Sequence, residues 1–177
     1  MIPQLQTDRL LLRGLRQEDL DAYARFMADP EVTRYMVGDP LTRTDAWRSL
    51  AVMIGHWALR GYGMWAVERK SDGAFVGRVG LWNPEGWPGL EVGWTLGREF
   101  WGQGYATEAA RAAMDFAFLT QGISRLLSVI DSRNRASQRV AERLGETCGE
   151  EHVIEFQGRR FTTNIWSISR EDWARRI

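Results

Sequence analysis

Polar and apolar residues alternate over Glu91–Leu96, which predicts a strand, and Val92 and Trp94 suit its pleated surface. Gly97 punctuates it, and Gly102 and Gly104 bracket Gln103 just before the period changes. Ala106, Ala109, Ala110, Ala113, Met114 and Ala117 then recur at the three- and four-residue spacings of one helix face. The stretch thus reads as strand, glycine-rich turn and helix. A helix that begins on glycines presents bare backbone N–H groups and the positive end of its dipole, a setting suited to phosphate.

The same patterns divide the rest of the chain. Arg9 to Leu15 is short and apolar, a first strand. Acidic residues in Gln17–Asp21 open a helix with Leu20, Tyr23, Phe26 and Met27 on one face. Asp29-Pro30 ends it and starts a short helix through Tyr35 and Met36, and Gly38-Asp39-Pro40 reads as a loop. Thr44 or Asp45 is expected to cap a longer helix carrying Trp47, Leu50, Val52, Met53, Trp57 and Leu59, stopped by Gly61. Tyr62–Arg69 and Ala74–Trp82 read as strands joined by a hairpin turn at Ser71-Asp72-Gly73. Turn formers fill Asn83–Gly89.

Beyond the glycine turn, Gln121-Gly122 stops the helix and Arg125 to Ile130 forms another strand. Asn134 or Ser132 caps a helix carrying Val140, Ala141 and Leu144, ended by Gly145. Two last strands are expected near His152–Phe156 and Phe161–Ile168, with Gln157-Gly158 as their turn. No repeat, linker or low-complexity segment interrupts residues 1–177, which read as one domain. Hairpins come first and a strand–helix–strand crossing later. The expected fold is therefore α/β (α+β), a mixed, mostly antiparallel central sheet flanked by helices.

Lys plus Arg and Asp plus Glu both number 23, so the net charge gives no argument for nucleic acid or an anionic membrane as partner. Cys148 is the sole cysteine, which excludes an internal disulfide and suits a reducing compartment. The N-terminal residues lack a signal-peptide pattern and no apolar run is long enough to span a bilayer, so a cytoplasmic protein is expected. No His/Cys/Asp cluster has metal-ligand spacing, and no metal is expected.

Several residues admit two readings. The Gly102–Gly104 turn is either a bare connection or an anion site. It is not a P-loop, because no Gly-Lys-Ser/Thr follows. A dinucleotide fingerprint is half matched, with Thr107 at its third glycine and Asp131 late for its acidic residue. Asn134 is a strong helix cap, and Ser137 would then be a solvated first-turn serine. Arg135, Arg139 and Arg143 form a stripe that is either a solvated face or, through Arg135 or Arg139, a phosphate contact. Glu91 is a solvated or salt-bridged strand residue or a general base. Glu108 favours the positive end of its helix, His56 sits in an apolar helix where a satisfied packing imidazole is the default, and His152, on a late strand, is either a plain strand residue or a base.

Trp101-Gly-Gln-Gly-Tyr-Ala-Thr-Glu-Ala109 resembles the pyrophosphate-binding loop of the GNAT acyltransferases. The family pattern Gln/Arg-x-x-Gly-x-Gly/Ala falls on Trp101–Ala106, with Trp101 in place of Gln or Arg. That wording, with Thr7–Arg13 and Asp29–Tyr35, is similar to the ribosomal-protein N-acetyltransferase (RimJ/RimL-like) branch. Asp131–Gly145 likewise resembles the family's Asn-x-x-Ser-x-x-Val-x-x-x-Leu-Gly signature, departing from it at Glu146, where an aromatic residue is common; the departure is expected to weaken packing at the start of the next strand and not the cofactor site.

The resemblance implies an N-acetyltransferase that moves an acetyl group from acetyl-CoA to a primary amine, a protein N-terminus or a small molecule, by direct attack. It implies cofactor contacts from Trp94, Thr95 and Leu96, from Trp101, Gly102, Gln103, Gly104, Tyr105, Ala106 and Thr107, and from Asn134, Ser137 and Arg139. Glu91 is the candidate base and Ser137 the candidate proton donor to the leaving thiolate. An alkyl ammonium has a pKa of about 10.4, so the amine must lose a proton before it attacks. Trp47 and Trp57 are expected to help wall the acceptor pocket. The protein would be a monomer or homodimer. The competing readings are a non-catalytic acyl-CoA-binding regulatory module and a dinucleotide-dependent enzyme.

Overall fold

A computed structural model describes residues 2–36, 39–156 and 158–176. Gly38 and Gln157, expected in turns, lie outside them. Eight strands form one sheet in the order β1-β2-β3-β4-β5-β6-β8-β7. They are β1 (Leu5–Gln6), β2 (Leu10–Arg13), β3 (Met64–Arg69), β4 (Phe75–Trp82), β5 (Glu91–Leu96), β6 (Arg125–Asp131), β7 (Thr147–Phe156) and β8 (Arg159–Ser169). Every neighbouring pair is antiparallel except β5 and β6, which run parallel. The chain between those two must cross over, and it does so through α4 (Tyr105–Asp115).

The two larger cores among the described residues lie against this sheet. Leu10, Trp65, Val79, Leu81 and Val92 meet Ala109, Ala113 and Met114 of α4, together with Phe116 and Phe118. The small residues of α4 let its backbone approach the strands closely. In the second core, α1 (Leu20–Met27) and α3 (Arg43–Arg60) pack Leu20, Tyr23, Phe26, Leu50 and Met53 against Met64 and Ala66 of β3. Between them runs the short α2 (Pro30–Thr33), capped by Asp29. Among the described residues no helix is long and apolar enough to cross a membrane.

The hydrophobic pattern locates most elements to within a few residues. The departures have local causes. Helix α3 begins earlier than expected, because Thr42 Oγ1, rather than Thr44 or Asp45, takes the Asp45 amide at 3.2 Å. Strand β1 is two residues long, too short for any period to register. Strands β7 and β8 exceed their apolar segments because the ladder continues through polar pairs such as Thr147–Ser167 and Glu155–Arg160. The terminal helix α6 (Arg170–Ala174) is held by a Ser169 cap and by Trp173, which is buried in the main core.

Candidate active site

The parallel pair β5–β6 comes apart almost as soon as it forms. Leu127 N–H donates to the Leu90 carbonyl at 3.0 Å, and Glu91 pairs with Leu127. An unbroken parallel ladder would next join Val129 N–H to the Val92 carbonyl. Instead, Val129 N–H donates to Glu91 Oε1 at 3.3 Å, and the Val92 carbonyl accepts from Ser128 Oγ at 2.7 Å. Two side chains thus satisfy the backbone groups that the parting strands leave without each other. The parting opens a cleft of about 830 Å³ whose walls include Glu91, Gly93, Trp94, Thr95, Ser128, Asp131, Asn134 and Ser137.

Glu91 lies at the root of this cleft. Trp87, from the turn before β5, donates its indole N–H to Glu91 Oε2 at 2.7 Å. Desolvation pushes the Glu91 carboxyl up to about 7, while the Val129 amide, the Trp87 indole and the charge of Arg78 oppose the rise. A carboxyl poised near 7 exchanges protons readily at neutral pH.

At the far end of β5, Trp101 Nε1 donates to the Leu96 carbonyl at 2.9 Å, and Gln103 Nε2 donates to the Glu99 carbonyl at 3.0 Å. These bonds fix the turn that delivers the chain into α4. Gly102 and Gly104 have φ of 74° and 80°, the left-handed region that favours glycine. A Cβ built on Gly102 would meet nothing, and one on Gly104 only Arg9 Nη2 at 3.4 Å, so the turn faces open space. No side chain caps α4, whereas Thr42, Asn134 and Ser169 cap α3, the later helix α5 (Arg135–Leu144) and α6. The amides of its first turn, from Tyr105, Ala106 and Thr107, therefore lie without a side-chain acceptor. Thr107 Oγ1 is buried with no hydrogen-bond partner among the described residues. Bare amides, an orphaned hydroxyl and glycines open to solvent fit a diphosphate.

Arg9 stabilises the turn from outside. Its guanidinium donates to the Gln103 carbonyl at 3.0 Å, pairs with Glu108 at 2.6 Å and lies 4.6 Å above the Tyr105 ring. Glu108 also accepts from Thr7 Oγ1 and is held below its ordinary carboxylate range, as these bonds outweigh its desolvation.

On the opposite wall, α5 (Arg135–Leu144) starts at Asn134, whose Oδ1 accepts from Ser137 N–H at 3.1 Å. The cap and ligand readings of Asn134 are compatible, since its Nδ2 has no partner among the described residues. Ser137 Oγ accepts from Trp94 Nε1 at 3.3 Å, which leaves its own proton free to donate. Arg139 is exposed. Arg143, further along the same stripe, borders a second cavity of about 650 Å³ with Gly104 and Thr107.

Several expectations are corrected here. Trp57 does not wall the cleft. It packs on Trp65 in the main core, and its indole N–H donates to the Met64 carbonyl at 2.9 Å. Trp47 is half exposed and also outside the cleft. The face of α3 turned to the cleft carries Asp45, Arg48, Ser49, Val52 and Met53, and the aromatic walls are Tyr35, Trp82, Trp87, Trp94 and Phe161. Spacing alone did not say which face of α3 turns inward. His56, by contrast, is the satisfied packing residue expected: it is buried, with Nδ1 2.9 Å from the Tyr62 carbonyl and Nε2 accepting from Asn83 N–H. His152 is exposed on β7, outside the cleft lining.

Glu146, which departs from the family signature, is not confined to packing. The chain turns at Gly145 and tucks Glu146 beneath β6, 4% exposed, with Oε1 3.0 Å from Ser128 Oγ. Burial pushes its carboxyl up to about 8; Ser128 opposes this and the charge of Glu91 adds to it. Ser128 and Glu146 carry no motif and come together only through the sheet.

A mixed sheet whose parallel strands part beside an uncapped glycine turn defines the acyltransferase class. A family model described as an acetyltransferase (GNAT) domain matches residues 9–147, and the chain belongs to that family. YkkB of Bacillus subtilis strain 168 is 34% identical over 151 residues, covering 80% of this chain and 84% of that one. The FsC-acetyl coenzyme A-N(2)-transacetylase of Aspergillus fumigatus is 30% identical and covers 98% of this chain and 79% of its own. An acetyltransferase from Agrobacterium tumefaciens strain C58, known from its crystal structure, superposes with a TM-score of 0.83 at 32% identity over 95% of both chains. The protein is an acetyltransferase of a family that uses acetyl-CoA as cosubstrate.

Proposed function

We propose that residues 1–177 form one cytoplasmic domain that transfers the acetyl group of acetyl-CoA to a primary amine by direct attack, in the manner of the ribosomal-protein N-acetyltransferase branch. The acceptor is a protein N-terminus or a small molecule. The observation that carries this reading is the position of Glu91, a carboxyl with its pKa near 7 at the root of the cleft, on the strand that leads into the uncapped turn.

When bound, acetyl-CoA supplies the thioester carbonyl that the amine attacks. The amides of Gly102–Thr107 grip the diphosphate, with Trp101, Gln103 and Tyr105 holding the loop in shape. Asn134 Nδ2 anchors the amide-bearing arm, and Trp94, Thr95 and Leu96 offer backbone along which it lies. Arg139 supplies positive charge from α5. Glu91 takes the proton from the incoming ammonium, directly or through water, and Ser137 returns a proton to the thiolate. A thiol has a pKa of about 8.5, so this last transfer adds a modest factor.

The test is thiol release from acetyl-CoA over a panel of N-terminal peptides and small primary amines, with calorimetry of acetyl-CoA against NAD. Release with an amine, and heat with acetyl-CoA only, are expected. Acetyl-CoA binding without release for any amine would favour a non-catalytic module, and heat with NAD alone a dinucleotide enzyme.

A further inference from the structure

Ser128 has one hydroxyl proton and two oxygen neighbours, the Val92 carbonyl at 2.7 Å and Glu146 Oε1 at 3.0 Å. A carbonyl can only accept. If Ser128 donated to Glu146 instead, the Val92 carbonyl would lose its partner at the point where β5 and β6 part, a costly state for a buried backbone group. Both contacts are satisfied together when Ser128 donates to Val92 and Glu146 donates to Ser128, which requires a protonated Glu146.

A second fact points the same way. Glu146 Oε2 is buried without any hydrogen-bond partner among the described residues. A bare carbonyl oxygen of a neutral acid is tolerable there, whereas a carboxylate would have half its charge unsolvated. The charged groups around it do not compensate. Glu91, on β5, is of like sign and raises Glu146 further. Arg78, on β4, acts on Glu91. Arg176, beyond α6, lies over the neighbouring Gly145, and no ion pair joins it to Glu146 among the described residues.

We propose that Glu146 is a positioning residue that works as the neutral acid: its O–H donates to Ser128, which commits the Ser128 proton to the Val92 carbonyl and so fixes the opening between β5 and β6 beside Glu91. The inference rests on the acetyl-transfer reading of that opening for its catalytic consequence, but not for the protonation of Glu146. Ionisation of Glu146 removes the donor, turns Ser128 toward the new carboxylate and releases the Val92 carbonyl. The opening then loses its fixed width, and a second negative charge stands beside Glu91.

Difference infrared spectroscopy tests the protonation without any turnover. In a Glu91→Gln background at neutral pH, adding Glu146→Gln should remove a carboxylic-acid C=O band, which places the proton on Glu146. Absence of that band would overturn the proposal even if the enzyme is fully active. Kinetics test the positioning. The amide of Glu146→Gln can still donate to Ser128 and should keep kcat within about tenfold of the native enzyme, whereas Glu146→Leu should lose more than about a hundredfold in kcat with KM for acetyl-CoA little changed. Both variants are compared by thermal unfolding, so that loss of fold is read separately. Equal damage by Gln and Leu would mean the carboxylate charge is required. An active, folded Leu variant would mean the residue only fills space. Either result would overturn the proposal. If no amine is ever acetylated, the functional reading fails and the catalytic half of this proposal falls with it, while the infrared result still decides the protonation.

Discussion

Trp87 Nε1 lies 2.7 Å from Glu91 Oε2, so the turn before β5 reaches forward to hold the carboxylate that opens the strand. The donor favours the charged form of Glu91. Removing it in Trp87→Phe should raise the Glu91 pKa above about 7. The acid limb of the kcat/KM–pH profile should move to higher pH, and turnover at neutral pH should drop several-fold. A profile unmoved by the substitution would detach Trp87 from Glu91 ionisation.

Glu91→Gln removes the base and keeps an acceptor for the Val129 amide. Turnover should fall by roughly 10²- to 10⁴-fold, the usual contribution of a positioned base. Acetyl-CoA affinity, measured by calorimetry, should stay close to that of the native protein. In the native enzyme kcat/KM should rise with pH through an apparent pKa near 7, as Glu91 becomes charged. A variant that keeps full turnover would show that the proton leaves by another route.

Gly104 meets solvent with φ 80° at the start of α4. Gly104→Glu places a carboxylate where the diphosphate is proposed to sit and should abolish acetyl-CoA binding. Gly104→Ala carries only the backbone strain, of about 1 kcal/mol, and should bind more weakly without losing the ligand. Unchanged affinity in the Glu variant would move the diphosphate elsewhere.

Ser137→Ala leaves the Trp94 indole without its acceptor and deletes the proton donor. Water can replace a hydroxyl at a cleft wall, so less than a tenfold loss in kcat is expected. A loss beyond a thousandfold would give Ser137 a larger part than proton return.

Stability should fall as pH rises. Glu91 and Glu146 hold protons in the fold up to about 7 and about 8, while the unfolded chain releases them near about 4.3. Between those values the fold binds more protons than the unfolded chain, so its stability is full below the lower limit and is lost as each folded pKa is passed. Each group costs about 1.4 kcal/mol per pH unit across its window. Urea midpoints should therefore drop between about pH 5 and about pH 8, with a flatter dependence in Glu146→Gln. A midpoint that climbed over that range would contradict the burial of both carboxyls.

The linear pattern was enough for the strand Glu91–Leu96, the glycine turn and the helix that follows it, because period and turn chemistry act over a few neighbouring residues. Asn134 was readable as a cap for the same reason, and Glu91 as a candidate because it stands on the strand entering the turn. The partners of Glu91 were not readable. Trp87 reaches it through a folded turn, and Val129 meets it because β6 returns beside β5 after a whole crossover.

Ser128 and Glu146 lie far from Val92 in the chain and carry no motif, yet they meet it where two strands part. Likewise, the apolar pattern placed Trp57 on a helix but could not say whether that face turned to the core or to the cleft. Local sequence sets backbone conformation, since those forces span a turn or two. The ionisation of a buried carboxyl depends on which distant groups surround it, and only the packing of the sheet decided that.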